Sequence, residues 1–191
     1  MNKIRAMLEE IKKLDDVRRE AEGGAPEQAM TLYPPAAPDA VTRFLDRGWS
    51  HPLPPSFGDF LAASDGVTKF PGQLDFVSTD GSRQEPIRSV VQKKIEQDKI
   101  DFRALFKTAD NAVIAKWESD PKKFYVGNHP VVAVTKRGGL LFYDTRTRNS
   151  KGEMELCWRS ATKATIEKRY DNIEKYLETA LQEAREKGGV K

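Results

Sequence analysis

The segment from Leu53 to Gly66 constrains the fold most strongly, because it carries the signals for both ends of one short helix. Pro54 or Pro55 supplies the fixed φ angle of a first helical turn, where no amide donor is needed. Apolar and small side chains then recur with the helical period, at Phe57, Phe60, Leu61 and Ser64. Gly66 can adopt the left-handed conformation that ends a helix. We therefore predict a short helix that packs against a neighbouring element.

The same segment resembles a motif of the Smi1/Knr4, or SUKH, family. The residues that carry the resemblance are Leu53-Pro54, Phe57, Phe60-Leu61 and Asp65-Gly66. Asp65 stands where the family usually has asparagine, and both residue types can cap a turn. The resemblance covers roughly residues 38–181 and implies helices around a central antiparallel sheet. Members of this family are largely non-catalytic, and many bacterial members are immunity proteins that bind and neutralise a cognate toxin.

The composition is that of a soluble globular protein with one core. Of 191 residues, 38% are hydrophobic and 32% are charged, and no apolar run is long enough to cross a membrane. The N-terminus lacks the apolar stretch of a secretion signal, so we expect a cytoplasmic protein. A single cysteine, Cys157, and two histidines, His51 and His129, provide neither a disulfide nor a zinc framework. No cofactor or metal is expected.

The chain divides into an N-terminal segment, residues 1–37, and a domain, residues 38–191. The first segment contains an amphipathic helix that Gly23-Gly24 ends, followed by a proline-rich linker. The apolar face of this helix is formed by Ile4, Leu8, Ile11, Leu14 and Val17. A second helix is predicted from Pro38 to a stop at Gly48, and Trp49 leads from it towards the Leu53–Gly66 segment.

The remainder of the domain alternates between strand and helix patterns. A strand is predicted at residues 74–78, a turn at Asp80-Gly81, a helix from Pro86, and further helical turns between Ile100 and Phe106. For the short apolar run 112–117 a strand is preferred. The clearest signal is a hairpin, residues 131–135 and 140–144 around Gly138-Gly139, followed by a strand at 154–158. A final helix includes Ile166 and Tyr170 on its apolar face and ends at Gly188-Gly189. The prediction is an α+β fold with a central antiparallel sheet flanked by helices and an added N-terminal helix.

The sequence shows no constellation typical of catalysis. Cys157 has no adjacent base, so we interpret it as an inert packing residue. His51 and His129 both precede prolines and are interpreted as turn residues. No spacing selects a pair of carboxylates, and no glycine-rich phosphate loop is present. We therefore expect a protein that is not an enzyme; a carboxylate site in a cleft stays open as a third possibility.

Our leading hypothesis is a non-catalytic protein-binding domain, and specifically a bacterial immunity protein whose partner is a cognate toxin or other effector. The predicted partner-binding residues combine aromatic rings with arginines, as interface hot spots do: Trp117, Tyr125, Tyr143, Arg146 and Arg148. One alternative is a nucleic-acid-associated module, which would use the basic loop 145–151 near Lys136 and Arg137, with Tyr143 as a stacking surface. Interspersed acidic residues disfavour it, since the net charge is only +3. Another alternative is a regulatory scaffold of the same family. The oligomeric state is left open.

Overall fold

The computed structural model describes residues 2–47, 52–163 and 165–187. The helices in these residues are α1 (Lys3–Ala21), α2 (Pro38–Arg47), α3 (Pro55–Ala63), α4 (Gly81–Phe106), α5 (Asn111–Glu118) and α6 (Ile173–Lys187). The strands are β1 (Thr31–Leu32), β2 (Val67–Thr68), β3 (Leu74–Phe76), β4 (Val131–Thr135), β5 (Leu140–Tyr143), β6 (Leu156–Arg159) and β7 (Lys168–Tyr170). The predicted α+β class is confirmed.

A five-stranded sheet forms the centre of the fold. Its strands follow chain order, β3-β4-β5-β6-β7, and every neighbouring pair is antiparallel. The β4–β5 hairpin is confirmed, with Gly138 at φ +87° in its turn. Strands β1 and β2 form a separate antiparallel pair. All four residues of β5 are buried, so the sheet is covered on both faces.

Helix α3 contains the motif residues, and its start is as predicted, with Pro54 as the N-cap and Pro55 in the first turn. Its end differs from the prediction, because the helix stops at Ala63 and Gly66 lies beyond it. Gly66 does have a positive φ of +86°, but it serves the turn into β2. A Cβ there would lie 3.1 Å from the carbonyl oxygen of Val77, so the glycine permits a close backbone approach.

One face of the sheet packs against α1, α3 and α6. Phe60 of α3 stacks on Phe57 and contacts Phe76 of β3, with ring centroids 5.2 and 5.0 Å apart. Helix α1 packs along α6, and its buried side chains belong to the same core as α3 and the sheet. The predicted N-terminal segment therefore shares its core with the domain. Val17, which was placed on the apolar face of α1, is instead 56% exposed, so that prediction is wrong.

The other face of the sheet is covered by α4 and the segment that follows α5. Phe124 stacks on Phe142 of β5, with centroids 4.3 Å apart. Helix α4 is one continuous helix that begins at Gly81, because the Asp80 carboxylate caps it by accepting from the Ser82 amide. The predicted turn at Asp80-Gly81 and the predicted helix start at Pro86 are therefore wrong. The run 112–117 is helical, not a strand, because Asp110 caps α5 in the same way.

The C-terminal part of the sheet also differs from the prediction. Tyr170 lies in β7, and α6 begins only at Ile173, so Ile166 and Tyr170 are not on its apolar face. Strand β6 begins at Leu156 instead of Met154. The stop signals Gly48, Gly188 and Gly189, together with Trp49 and His51, lie outside the described residues. Among the described residues, no helix combines the length and the apolar composition that a bilayer span requires.

We expect Phe60→Ala to destabilise the protein by about 3–5 kcal/mol, because it removes a fully buried ring from the centre of the core. Urea unfolding followed by circular dichroism measures the loss. Asp59→Ala, at an exposed position of the same helix, is the matched control and should change stability by less than about 0.5 kcal/mol. Equal effects of the two substitutions would contradict the packing of α3.

Candidate functional site

The ends of α4 and α5 are joined by a cluster of aromatic side chains. Phe102 of α4 contacts Phe106, Trp117 and Tyr125, with ring centroids 5.4–5.7 Å apart. Together with Ile114, Phe102 and Tyr125 form a small core that is separate from the main one. Lys123 places its ammonium 4.2 Å from the centre of the Trp117 ring. The cluster therefore fixes α5 against the last turns of α4.

Large apolar side chains remain exposed beside this cluster. Leu105 is 67% exposed and Phe106 is 41% exposed, and the Phe106 ring lies 5.6 Å from that of Trp117. We call Leu105, Phe106 and Trp117 the apolar patch. Ile100 is also 59% exposed, but it lies about 140° around α4 from Leu105 and is not part of the patch.

Positive charges surround the apolar patch. The four cations are Lys99, Arg103, Lys107 and Lys116, all exposed. Lys99 and Arg103 precede Phe106 by two turns and one turn of the helix, respectively, and so lie on the same side of α4 as Phe106. Within the described residues, none of the four forms a salt bridge, whereas Lys94 and Lys123 are both paired with aspartates. We call these four cations the basic rim; on the Leu105 side of α4 the exposed Asp101, one turn before Leu105, adds a negative charge to the border of the patch.

A groove with a volume of about 400 Å³ opens between α4, α5 and β6. Its apolar walls are Phe102, Leu105, Trp117 and Phe124, so it is continuous with the apolar patch. The charged residues that line it are Asp98, Asp101 and Arg159. Arg159 is only 5% exposed, and its guanidinium lies over the Phe124 ring at 5.3 Å.

A buried polar network connects α5 to the sheet next to this groove. His129 Nε2 lies 2.7 Å from Glu118 Oε1, and the Thr145 amide donates to His129 Nδ1 over 3.3 Å. Because Nδ1 accepts, this pattern makes Nε2 the donor to Glu118. Burial opposes the charge of Glu118, but hydrogen bonds from His129, the Tyr125 amide and Asn128 outweigh it and lower the pKa of Glu118. His129 ends the 3₁₀ turn Val126–Asn128, in agreement with its interpretation as a turn residue, and its ring also links α5 to the sheet.

Arg146 acts as a clamp in the same network. Its Nε and Nη2 donate to the two carboxylate oxygens of Asp144, both over 2.7 Å, and its Nη1 donates to the backbone oxygens of Glu118 and Lys123. Arg169 also contacts Asp144, at 3.0 Å. Burial opposes the charge of Asp144, but Arg146, with a smaller contribution from His129, lowers the pKa of its carboxyl group. The bidentate geometry gives the clamp its orientation.

The structure separates the five predicted partner-binding residues. Trp117 and Tyr125 come together in the aromatic cluster, although Tyr125 is only 5% exposed. Tyr143 is completely buried on the core face, 6.1 Å from Phe57, so its assignment to an accessible surface is wrong. Arg146 is occupied by the clamp. Arg148 is exposed, with no salt bridge among the described residues.

The basic loops do not form one patch. The turn that contains Lys136 and Arg137 precedes β5, and the loop that contains Arg146 and Arg148 follows it. A four-residue strand separates the two by about 13 Å, so the predicted proximity is wrong. With Tyr143 buried, the predicted stacking surface is also absent from this loop.

Cys157 is buried in β6, and burial raises the pKa of its thiol to about 12. A thiol with such a pKa is protonated at neutral pH and is a poor nucleophile, in agreement with its interpretation as a packing residue. Within the described residues, no three His, Cys, Asp or Glu side chains are grouped so that they could hold a metal ion.

A second cleft, of about 220 Å³, lies between α1, α6 and the sheet. Its aromatic lining is Phe70, Trp158, Tyr170 and Tyr176. Its charged residues largely neutralise one another, because Arg18 pairs with Asp15 and Lys168 with Glu183. Lys187 also lines the cleft and forms no salt bridge with the described residues, so one positive charge of the cleft is left unpaired.

Sequence reasoning missed Leu105, Phe106 and Arg159. A local signal existed for the two apolar residues. Asp110 caps α5, so only a short connection separates α5 from Leu105 and Phe106, and these two residues lie at the end of the preceding helix. Arg159 had no such signal, because its burial depends on α4 and Phe124, which are distant in sequence. Comparison of the chain with protein-family models, curated proteins and solved structures gave no match.

We expect Tyr143→Phe to raise stability by about 1 kcal/mol. The Tyr143 hydroxyl is buried near Ser56 but forms no hydrogen bond of good geometry with the described residues, so its removal relieves a desolvation cost that is poorly compensated. The urea midpoint of the variant is compared with that of Tyr170→Phe, in which a half-buried ring loses its hydroxyl. A lower midpoint for Tyr143→Phe would show that the hydroxyl has a partner.

Acid should weaken the clamp. Because the pKa of Asp144 is lower in the folded chain than its ordinary value of 3.8, its stabilising contribution is complete above that value and is lost as the pH falls through the folded pKa. Asp144→Asn should cost about 3 kcal/mol or more at pH 7, since it leaves Arg146 and Arg169 less compensated. The difference from wild type should shrink below pH 3.8, while the exposed Asp39→Asn control changes little at either pH. A pH-independent difference would contradict this account.

Proposed function

We propose that this chain is a non-catalytic binding protein, and specifically an immunity protein that occludes a co-produced toxin. The observation that carries the proposal is the apolar patch at the ends of α4 and α5. An exposed leucine and phenylalanine beside a half-buried tryptophan are costly in water and typical of an interface centre.

The basic rim favours a partner with acidic side chains around its contact surface. Lys99 and Arg103 lie on the Phe106 side of α4, Lys107 follows Phe106 and Lys116 precedes Trp117, and none of the four has a salt bridge in the described residues. Opposite charges across an interface accelerate association and select the orientation of the partner. The proposed toxin therefore presents an apolar contact surrounded by acidic side chains.

The motif in α3 supports the immunity assignment. The residues that resemble the Smi1/Knr4 motif have definite structural roles, since Phe57, Phe60 and Leu61 are fully buried. Asp65 accepts from the Thr79 amide over 2.6 Å and pairs with Arg83 at 3.0 Å. Residues with these roles maintain the fold and leave binding to other surfaces, as expected when one scaffold serves different partners.

The direct test mixes the purified protein with the product of the adjacent gene. A stable 1:1 complex measured by size-exclusion chromatography with light scattering is expected, together with loss of the toxin's activity. Its association rate should fall as salt is added, because the basic rim is screened. The absence of a complex would refute the proposal. Tight, salt-sensitive binding of a generic oligonucleotide instead would favour the nucleic-acid alternative.

Leu105→Asp should weaken the complex by roughly 30-fold or more, the effect of losing about 2 kcal/mol at an interface centre. Val17→Asp is the matched control, because Val17 is a similarly exposed apolar residue on a helix, 56% against 67% for Leu105. Isothermal titration calorimetry gives the dissociation constants, and circular dichroism verifies that both variants are folded. Equal binding by the two variants would place the interface elsewhere.

A further inference from the structure

Arg159 is a buried cation without a neutralising partner in the described residues. Its Nε donates to the Lys163 backbone oxygen, and its two terminal nitrogens form no hydrogen bond with the described residues. No carboxylate of these residues lies within salt-bridge distance of it. Burial accordingly lowers the pKa of the Arg159 guanidinium. A buried charge in this condition is costly unless something compensates it.

The two aspartates of the groove are only partial compensation. Asp98 pairs with Lys94 at 3.3 Å and accepts from the Val126 amide over 3.4 Å, so its charge is already engaged. Asp101 is exposed at the rim and accepts from the side-chain amide of Gln97 over 2.8 Å. These two aspartates and Glu167 attract Arg159, but none of the three lies within salt-bridge distance of it. The planar fork of its terminal nitrogens is left available to a carboxylate that enters the groove.

We infer that the groove between α4, α5 and β6 is the anchor pocket for the proposed partner protein, and that it receives a large apolar side chain of the partner together with an adjacent carboxylate bound by Arg159. This inference rests on the proposed function and adds the chemistry of the contact. The apolar side chain packs among Phe102, Leu105 and Trp117, and the carboxylate accepts two hydrogen bonds from the guanidinium.

The location of the groove agrees with this role. It shares Leu105 and Trp117 with the apolar patch, so one partner segment can cover the patch and enter the groove. Tryptophan and arginine are the residue types most enriched at interface hot spots, where surrounding contacts exclude water from a central pocket. The basic rim attracts the same acidic segment that Arg159 would anchor.

A pair of fragments tests the chemistry without the partner. N-acetylphenylalanine supplies a ring and a carboxylate, and N-acetylphenylalanine amide supplies the same ring without the charge. Titration of the full chain, followed by NMR at the Trp117 indole N–H and the Leu105 amide, should give a Kd of about 1 mM for the carboxylate, as expected for a fragment of this size. The amide should bind roughly tenfold more weakly. Equal shifts from both fragments, or no saturable shift from the carboxylate, would overturn the inference.

Arg159→Met separates recognition from folding. Methionine keeps an unbranched apolar stem and removes the donors; no salt bridge of the described residues is broken, but Asp98 loses the attraction of the guanidinium. The variant should remain folded by circular dichroism, with a somewhat lower melting temperature, and the two fragments should then bind equally. Arg43→Met, at an exposed site on α2, should retain the preference for the carboxylate. Retention of the preference in Arg159→Met would overturn the inference.

Measurements with the toxin distinguish the two proposals. If wild type and Arg159→Met bind the toxin equally, the groove is not the anchor although the proposed function holds. If wild type binds no toxin but prefers the carboxylate fragment through Arg159, the immunity assignment fails and the groove's chemistry is established. Weakening of the toxin complex by Arg159→Met, but not by Arg43→Met, supports both.

Discussion

Leu140, Leu141, Phe142 and Tyr143 are all fully buried, although alternate side chains of a strand point to opposite faces of its sheet. Strand β5 therefore requires a cover on each face, and the chain supplies two different ones. Helices α1, α3 and α6 cover the face of Leu141 and Tyr143, while Phe124 and α4 cover the face of Phe142. The second cover is therefore part of the core, to which α4 contributes Ile87 and Val91.

The second cover is fastened by polar contacts at one end and left partly open at the other. The Arg146 clamp and the contact between His129 and Glu118 join the end of α5 to the end of β5. Beyond them, the cluster around Phe102 is separate from the main core. The apolar patch and the groove thus sit on helices whose positions are fixed elsewhere in the structure, a favourable arrangement for a preorganised contact surface.

Local signals predicted the parts of the fold that local chemistry decides. The β4–β5 hairpin follows from its glycine turn, and α3 begins where its prolines permit. The same reasoning failed at Asp80 and Asp110, where an aspartate that caps a helix was not distinguished from one in a turn. It could not find the candidate site, because alternation shows which side chains share a face but not what covers that face. Tyr143 and Arg159 are buried by segments far away in the sequence, and this information is absent from their own neighbourhoods.

The pairing of α1 with α6 has a consequence for synthesis. Lys3 contacts Glu174, a residue 171 positions later, and Arg185 contacts Glu10 in the same helix pair. At about 5–20 residues per second, a ribosome needs roughly 10–30 s to make the second helix after the first. During that interval the apolar side chains Ile4, Met7, Leu8 and Ile11 lack α6, although α3, which also packs against α1, is already made. The apolar face of α1 is therefore only partly covered through most of the synthesis of the chain.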